Sequence, residues 1–417
     1  MSLKLLSFKA SVIYLVSLFL FAISMFMLPF GKSTFIILFI FYALIGLFIC
    51  KTNFLISSVS LVLSLLFLQG LAYLINVDRI YFKRPLEVLA QKEEKVNKSG
   101  EVEVFHYLKP NTELVMDESY GDLYGMMDDD NESIEPVRKS LIYKTDSLGF
   151  RNYADYTNQK YILVGDSFLV GANLTQESLL NYQLRDKYGF DSYNFSQVQD
   201  IRGYVMYIER LKKILANKEW KAIVFLFEGN DFSFYDTGAK SVFYKFVGFW
   251  RTLPLYKVIY SLYSRVVYNF TNKIDAGNFP VFSYVINNSK VGFFRPYVKF
   301  SKKKSFASTS ILDPLLAIKD KIELIIFIPT KYRVYYDFIE NNSHSESLPH
   351  PVWNYLDEFC IQNSLSCIDL TDDLKKRSRE LIGENLFTYD KDDTHWNRFG
   401  VEVAADIVYN QLSQLKN

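Results

Sequence analysis

Three cysteines and four histidines are all that the 417 residues offer of the softer metal ligands. No CxxC pair occurs and no His/Cys cluster has zinc spacing, which argues against a structural metal. Charge of either sign is scarce at the start of the chain, where residues 1–78 hold four lysines and Asp78. Acids are scarce further on: between residues 240 and 304 there are twelve Lys or Arg and a single acid, Asp275. The overall balance, a formal +1, gives no reason to expect a nucleic-acid partner.

What fills the uncharged start is apolar. Three runs, about 10–30, 33–50 and 53–76, each approach or exceed the roughly 18–20 residues that cross a hydrocarbon core as a helix. The links Gly31-Lys32 and Lys51-Thr52 leave room only for tight hairpins. A cleaved signal peptide would have an apolar stretch of roughly 7–15 residues and no second and third run behind it. Three transmembrane helices over 1–78 are therefore expected, with the lipid bilayer as a partner. Lys4, Lys9 and Lys51 fall on one side, and Lys32 with Arg79, Lys83 and Arg84 on the other. The positive-inside rule read from the first spans puts the N-terminus in the cytoplasm and residues 79–417 outside it, periplasmic or at the cell surface. Cys50 ends the second run as a small apolar residue. Cys360 and Cys367 lie seven apart across a helix-to-strand connection; an oxidising compartment could join them, the alternative being two separate buried thiols.

Residues 79–140 read as a linker of limited structure. Its acidic stretch, ELVMDESYGDLYGMMDDDNESIEP, carries nine carboxylates and no Lys or Arg. Asp128-Asp129-Asp130 lacks the alternating ligands and glycine of a calcium loop, so a solvated acidic loop is expected there. From about residue 159 short apolar strands alternate with helices: YILVG (161–165), QESLLNYQLRDKYG, DSYNFS, IRGYVMYIERLKKILANK, AIVFLFEGND (222–231), then IELIIFIP (322–329), a helix over about 352–362, CIDL (367–370) and a last helix over about 398–415. That alternation predicts an α/β domain over 141–417 with a mainly parallel sheet covered on both faces. The interruption at about 236–318 mixes aromatic and basic residues, a pattern suited to anionic lipid headgroups, to docking on the acidic linker, or to a cap with buried rings and solvated lysines.

In an open parallel sheet ligands gather at the carboxyl ends of the strands. Gly165-Asp166-Ser167, Gly229-Asn230-Asp231 and Asp392-Asp393-Thr394-His395 fall there or beside the last helix. A serine hydroxyl is unreactive until a base takes its proton, and that base needs an acceptor behind it. Of the histidines, His106 is in the linker, His344 and His350 are in a polar loop, and His395 sits among carboxylates. Ser167 as nucleophile and His395 as base follow. Asp392, three residues before His395, is preferred as the orienting acid, with Asp393 the alternative if the segment is extended. The oxyanion donors expected are the Ser167 N–H, the Asn230 side-chain amide and the Gly203 N–H.

VGDSF, FEGND and DDTHWNRFG together resemble the SGNH, or GDSL-type, hydrolase and acyltransferase superfamily. DSLGFRN (146–152) also resembles a stretch that precedes the serine block in bacterial members. The resemblance covers about 141–235 and 320–417. It implies a flavodoxin-like three-layer sheet, Ser167 as nucleophile and oxyanion donor, Asn230 as a second donor, His395 as base and Asp392 as its acid, with no cofactor. The second block, NFSQVQDIRGYV, lacks the glycine expected nearer Asn194, so Gln199 competes with Gly203 for that place. DTHW also resembles an Asp-x-His-Trp form in alginate-acetyltransferase-like relatives, which keeps Asp393 open as the alternative to Asp392. The GxSxG elbow of the α/β-hydrolases is absent. The implied activity is that of a membrane-anchored, extracytoplasmic serine esterase or O-acyltransferase acting on an ester-bearing envelope glycan or lipid. A membrane acyltransferase that exports acetyl groups is a compatible partner. The rival is a non-catalytic envelope module that keeps the fold for glycan binding or assembly.

Overall fold

The structure, a computed structural model, describes residues 86, 89–96, 102–125, 134, 136–214, 219–232, 281–306, 310–339 and 348–414. These fall in one compact unit made of Phe82–Gly238 and Tyr268–Asn417. The three expected spans, Cys50, Asp128-Asp129-Asp130 and the part of the basic interruption between 233 and 280 lie outside the described residues. Among the described residues no helix is long and apolar enough to cross a membrane.

Two antiparallel pairs come first: β1 (Ala90–Val96) with β2 (Val102–Leu108), and β3 (Glu113–Ser119) with β4 (Lys139–Lys144), the short helix α1 (Asp122–Gly125) lying between the last two. Then follow β5 (Tyr161–Val164), α2 (Ser167–Val170), α3 (Leu180–Tyr188), β6 (Ser192–Asn194), α4 (Ile201–Ile214) and β7 (Lys221–Phe227). A hairpin of β8 (Val281–Ile286) and β9 (Ser289–Phe294) leads into α5 (Arg295–Ser301). The chain closes with β10 (Ile322–Ile328), α6 (Lys331–Tyr335), α7 (Pro351–Gln362), β11 (Cys367–Asp369), α8 (Thr371–Ile382) and α9 (Arg398–Gln414).

The central sheet has five strands in the order β11-β10-β7-β5-β6, with every neighbouring pair parallel. Successive strand side chains point to opposite faces, and here both faces are buried. Ile162, Val164, Val224, Leu226 and Phe327 pack with α4 and α7 on one side. Leu163, Ile223, Phe225, Ile326 and Ile328 pack with α3 and α9 on the other. That double burial is why these strands read as unbroken apolar runs. From β5 the chain goes outward to β6 and then returns past β5 to β7. The reversal falls between β5 and β7, and in open parallel sheets ligands gather outside the carboxyl ends of the strands at such a point.

One region differs from the sequence expectation, and a second matches one of the readings left open for it. The supposed linker contributes the pairs β1–β2 and β3–β4, whose residues Leu108, Leu141 and Tyr143 are buried. The described end of the basic interruption is a hairpin whose Ile286, Val291 and Phe293 join the core on the α3/α9 side, so its rings act there as a packed cap. Cys360 on α7 and Cys367 on β11 are joined as a disulfide with a Cα–Cα separation of 6.2 Å.

Candidate active site

Strand β5 ends at Val164, and the chain turns through Gly165 and Asp166 into α2, whose first residue is Ser167. Asp166 caps this helix: its Oδ1 accepts the Phe168 N–H at 2.9 Å, satisfying a donor that the first helical turn would otherwise leave without a partner. A Cβ at Gly165 would sit 3.0 Å from Leu169 Cγ and 3.2 Å from Phe225 Cβ, so the turn has little space for a larger residue. The end of α2 is held from outside. Buried Arg151 donates to the carbonyls of Val170 (3.0 Å), Gly171 (2.7 Å) and Leu174 (3.0 Å). This explains the DSLGFRN stretch physically. Asp146 accepts from the N–H groups of Leu148 and Phe150 and from Asn152 Nδ2; Asn152 Oδ1 then accepts the Asn194 N–H of β6. The motif ties the Ser167 turn to the neighbouring strand.

His395 arrives from the loop before α9. Its Nε2 lies 2.8 Å from Ser167 Oγ, and its Nδ1 lies 2.7 Å from Asp393 Oδ1. The next residue, buried Trp396, donates Nε1–H to the Phe168 carbonyl at 3.2 Å, fixing the histidine loop to α2. Lys331 fixes it from below: buried at the start of α6, it donates Nζ–H to the carbonyls of Asp390, Lys391 and Asp393 at 2.6, 3.0 and 3.0 Å.

The preferred acid of the sequence reading, Asp392, does not face the imidazole. Its Oδ2 accepts the N–H groups of Gly121 (3.0 Å) and Val137 (2.9 Å), whereas Asp393 Oδ1 accepts both the N–H and the Nδ1–H of His395. The two-residue spacing reaches Nδ1, while the carboxylate at the three-residue position is held by backbone N–H groups of Gly121 and Val137. Gly121 is required for that docking, since a Cβ there would fall 2.0 Å from the Asp392 carbonyl oxygen.

Asn230, after β7, donates Nδ2–H to Asp166 Oδ2 at 3.1 Å, which places its amide beside the Ser167 turn. Asp231 is structural: its Oδ2 accepts the Phe227 N–H at 2.7 Å and its carboxylate also accepts from Tyr204. Gly203 is not brought to the site as a donor. It lies in the first turn of α4 with its N–H already given to Asp200 Oδ1 at 3.0 Å. Gln199 packs one turn earlier, 2.5 Å from where a Gly203 Cβ would be. The segment that does approach the serine turn after β6 is Ser196-Gln197, with the Gln197 N–H on the Gly165 carbonyl at 3.2 Å.

Electrostatics favour a charged imidazole. Burial opposes the charge on His395, but the Asp393 carboxylate and its hydrogen bond, with Asp122 and Asp166 nearby, outweigh it and push the histidine up to about 9. Burial would raise Asp393; the His395 charge and hydrogen bonds instead hold it down at about 2. Burial and then the Asp393 charge push Asp122 up to about 6. Burial likewise lowers Lys331 to about 8, against the pull of Asp392 and Asp393. Asp122, Asp393 and His395 are also the ligand atoms that a metal would need, all within 4.8 Å. Hydrogen bonds already engage these carboxylates: Thr394 donates its N–H and hydroxyl to Asp122, and the Asp122 N–H goes to Asp393 Oδ2 at 2.9 Å.

Lys331, Arg151 and Asp122 are the contributors that sequence reasoning missed. A Lys three residues after an apolar strand was the available signal for the first, and the quoted DSLGFRN for the second; Asp122 had none beyond its place in an acidic run. No protein-family model matches this chain and no curated protein matches it, so what the site does is read from its own geometry.

Proposed function

We propose that this chain is a serine esterase or O-acyltransferase working through an acyl-serine intermediate, with a flavodoxin-like sheet of the SGNH type. The observation that carries the reading is the relay Ser167 Oγ, His395 Nε2, His395 Nδ1, Asp393 Oδ1, with separations of 2.8 and 2.7 Å, set just past the carboxyl end of β5 where the strand order reverses. Ser167 Oγ attacks an ester carbonyl as His395 takes its proton, and Asp393 holds the imidazole in the tautomer that can accept it. The first-turn N–H of Ser167 and the amide of Asn230, oriented by Asp166, meet the developing oxyanion; a donor of this kind is worth about 2.7–4 kcal/mol of transition-state stabilisation. His395 then returns the proton to the leaving alcohol. The acyl group passes to water or to a sugar hydroxyl by the reverse of the same steps, so one relay serves hydrolysis and transfer.

The place of work in this reading is outside the cytoplasm, with 1–78 as a three-helix anchor and an ester-bearing envelope glycan or lipid as substrate. The Cys360–Cys367 disulfide supports an oxidising compartment. A membrane acyltransferase handing over acetyl groups fits as donor. A fluorophosphonate probe on membranes holding the full chain tests the chemistry: wild type is expected to label and Ser167→Ala to stay unlabelled. Equal labelling of both, or none of either, would transfer the case to the non-catalytic glycan-binding or assembly module. Acetyl release with and without a sugar acceptor then separates esterase from transferase.

A further inference from the structure

We infer that Asp122, carried on α1 some 270 residues before the histidine loop, is a positioning residue of this site that braces Thr394 and gives His395 a second carboxylate. The inference rests on the reading of Ser167 and His395 as nucleophile and base. Three contacts converge on this one side chain and its backbone. Asp122 Oδ1 accepts the Thr394 N–H at 2.8 Å and Oδ2 accepts the Thr394 hydroxyl. The Asp122 N–H donates to Asp393 Oδ2 at 2.9 Å, gripping the far oxygen of the carboxylate that orients the imidazole. Asp122 Oδ2 itself lies 3.7 Å from His395 Nδ1, with both side chains only 14% exposed.

The neighbouring segment reinforces the placement. The N–H groups of Leu123 and Tyr124 point at the Asp392 carbonyl (3.0 and 3.3 Å) and that of Gly121 at its carboxylate, so residues 121–124 clasp the loop from 392 to 394 by backbone as well as side chain. Leu123 is fully buried beside Ile134 and Val281, which anchors the clasp in apolar surroundings. A solvated acidic loop would not place a carboxylate against a buried histidine at this cost in desolvation.

A second carboxylate changes what the base does. The charged groups facing His395 are Asp393 from its own loop, Asp122 from α1 and Asp166 from the nucleophile turn; Lys331 Nζ from α6 approaches the same loop through the Asp393 carbonyl. Asp392 faces Gly121 and Val137, and Asp390 is paired with Lys139. An opposite charge within about 4–6 Å moves a pKa by about 1–3 units. Removing the Asp122 charge should therefore let His395 lose its proton at lower pH, shifting the onset of base catalysis in the acid direction.

The test uses the full-length protein as wild type, Asp122→Asn, Asp122→Ser and Asp122→Glu, with two readouts. One is the pH dependence of the fluorophosphonate labelling rate; the other is the titration of the His395 imidazole by NMR with labelled histidine and His395→Ala for assignment. In Asp122→Asn both midpoints are expected to fall by about one pH unit or more, and Asp122→Ser, smaller and equally uncharged, is expected to do the same should the asparagine variant fold poorly. Asp122→Glu keeps the charge and should restore a midpoint near that of wild type while labelling more slowly. Unchanged midpoints in folded, labelling-competent Asp122→Asn or Asp122→Ser would overturn the inference. A wild type that fails to label but whose imidazole midpoint falls on loss of Asp122 would overturn the enzymatic reading alone and leave the carboxylate coupling standing.

Discussion

Asp393→Asn is expected to slow acylation of Ser167 by about 10⁴-fold, the size of loss seen when a triad carboxylate becomes an amide and the histidine takes the wrong tautomer. Asp392→Asn is expected to leave the rate near that of wild type. Both residues are buried acids one apart in sequence, so the contrast isolates orientation: Asp393 Oδ1 is 2.7 Å from His395 Nδ1, whereas Asp392 accepts backbone N–H groups of Gly121 and Val137. The asparagine at 392 should instead cost about 1–3 kcal/mol of stability through a poorly satisfied buried group. Inactivation kinetics with a fluorophosphonate, alongside thermal unfolding, measure the two effects separately, and a reversed ranking of the two variants would sink the assignment. The same assay has a pH signature. A general base must be neutral to accept a proton; with His395 pushed up to about 9, it is mostly protonated at neutral pH, so the wild-type rate should climb about tenfold per pH unit on the way up and level off above about 9.

Arg333→Met or Glu228→Ala is expected to destabilise the domain by about 3–5 kcal/mol, because each leaves an uncompensated charge in the interior. Glu228, at the end of β7, is wholly buried, and Arg333 on α6 is 2% exposed. The guanidinium places Nε 3.0 Å from both carboxylate oxygens and donates further to the Pro349 carbonyl at 2.9 Å; the remaining carboxylate capacity takes the Thr330 N–H at 2.9 Å. Glu228 is two residues before Asn230, and Thr330 and Arg333 flank Lys331. The pair thus joins the strand that precedes Asn230 to the helix that holds the histidine loop. Replacing both partners with apolar residues should cost much less than either single change. For a domain of about 300 residues the single variants should melt about 5–8 °C lower; a shift of a degree or two would show that the pair is accessible to water.

Much of the sheet was legible because strands buried on both faces must be continuously apolar: YILV and IELIIFI could be recognised without neighbours. Ser167, Asn230 and His395 were legible by position, each at the end of such a strand or before the last helix. The choice between Asp392 and Asp393 was not, since either spacing reaches Nδ1 once the loop conformation is free, and what fixes it is a backbone contact with Gly121 across 271 residues. Gly203 looked suitable as a glycine in the right block, but a helix had already engaged its N–H with Asp200. The β3 strand was hidden by its own composition. ELVMDES shows its side chains mostly to solvent, so its alternation carries charge where a core strand would carry leucine, and it passes for a linker.

The clasp formed by residues 121–124 bears on where this domain can be cut. Strand-helix alternation alone would start a fragment at residue 141, which keeps the serine, the asparagine and the histidine. It would discard Gly121, Asp122 and Val137, leaving Asp392 with neither of the backbone partners that turn it away from the imidazole. Such a fragment would carry a complete list of reactive groups and yet leave two neighbouring acids competing for one ring nitrogen.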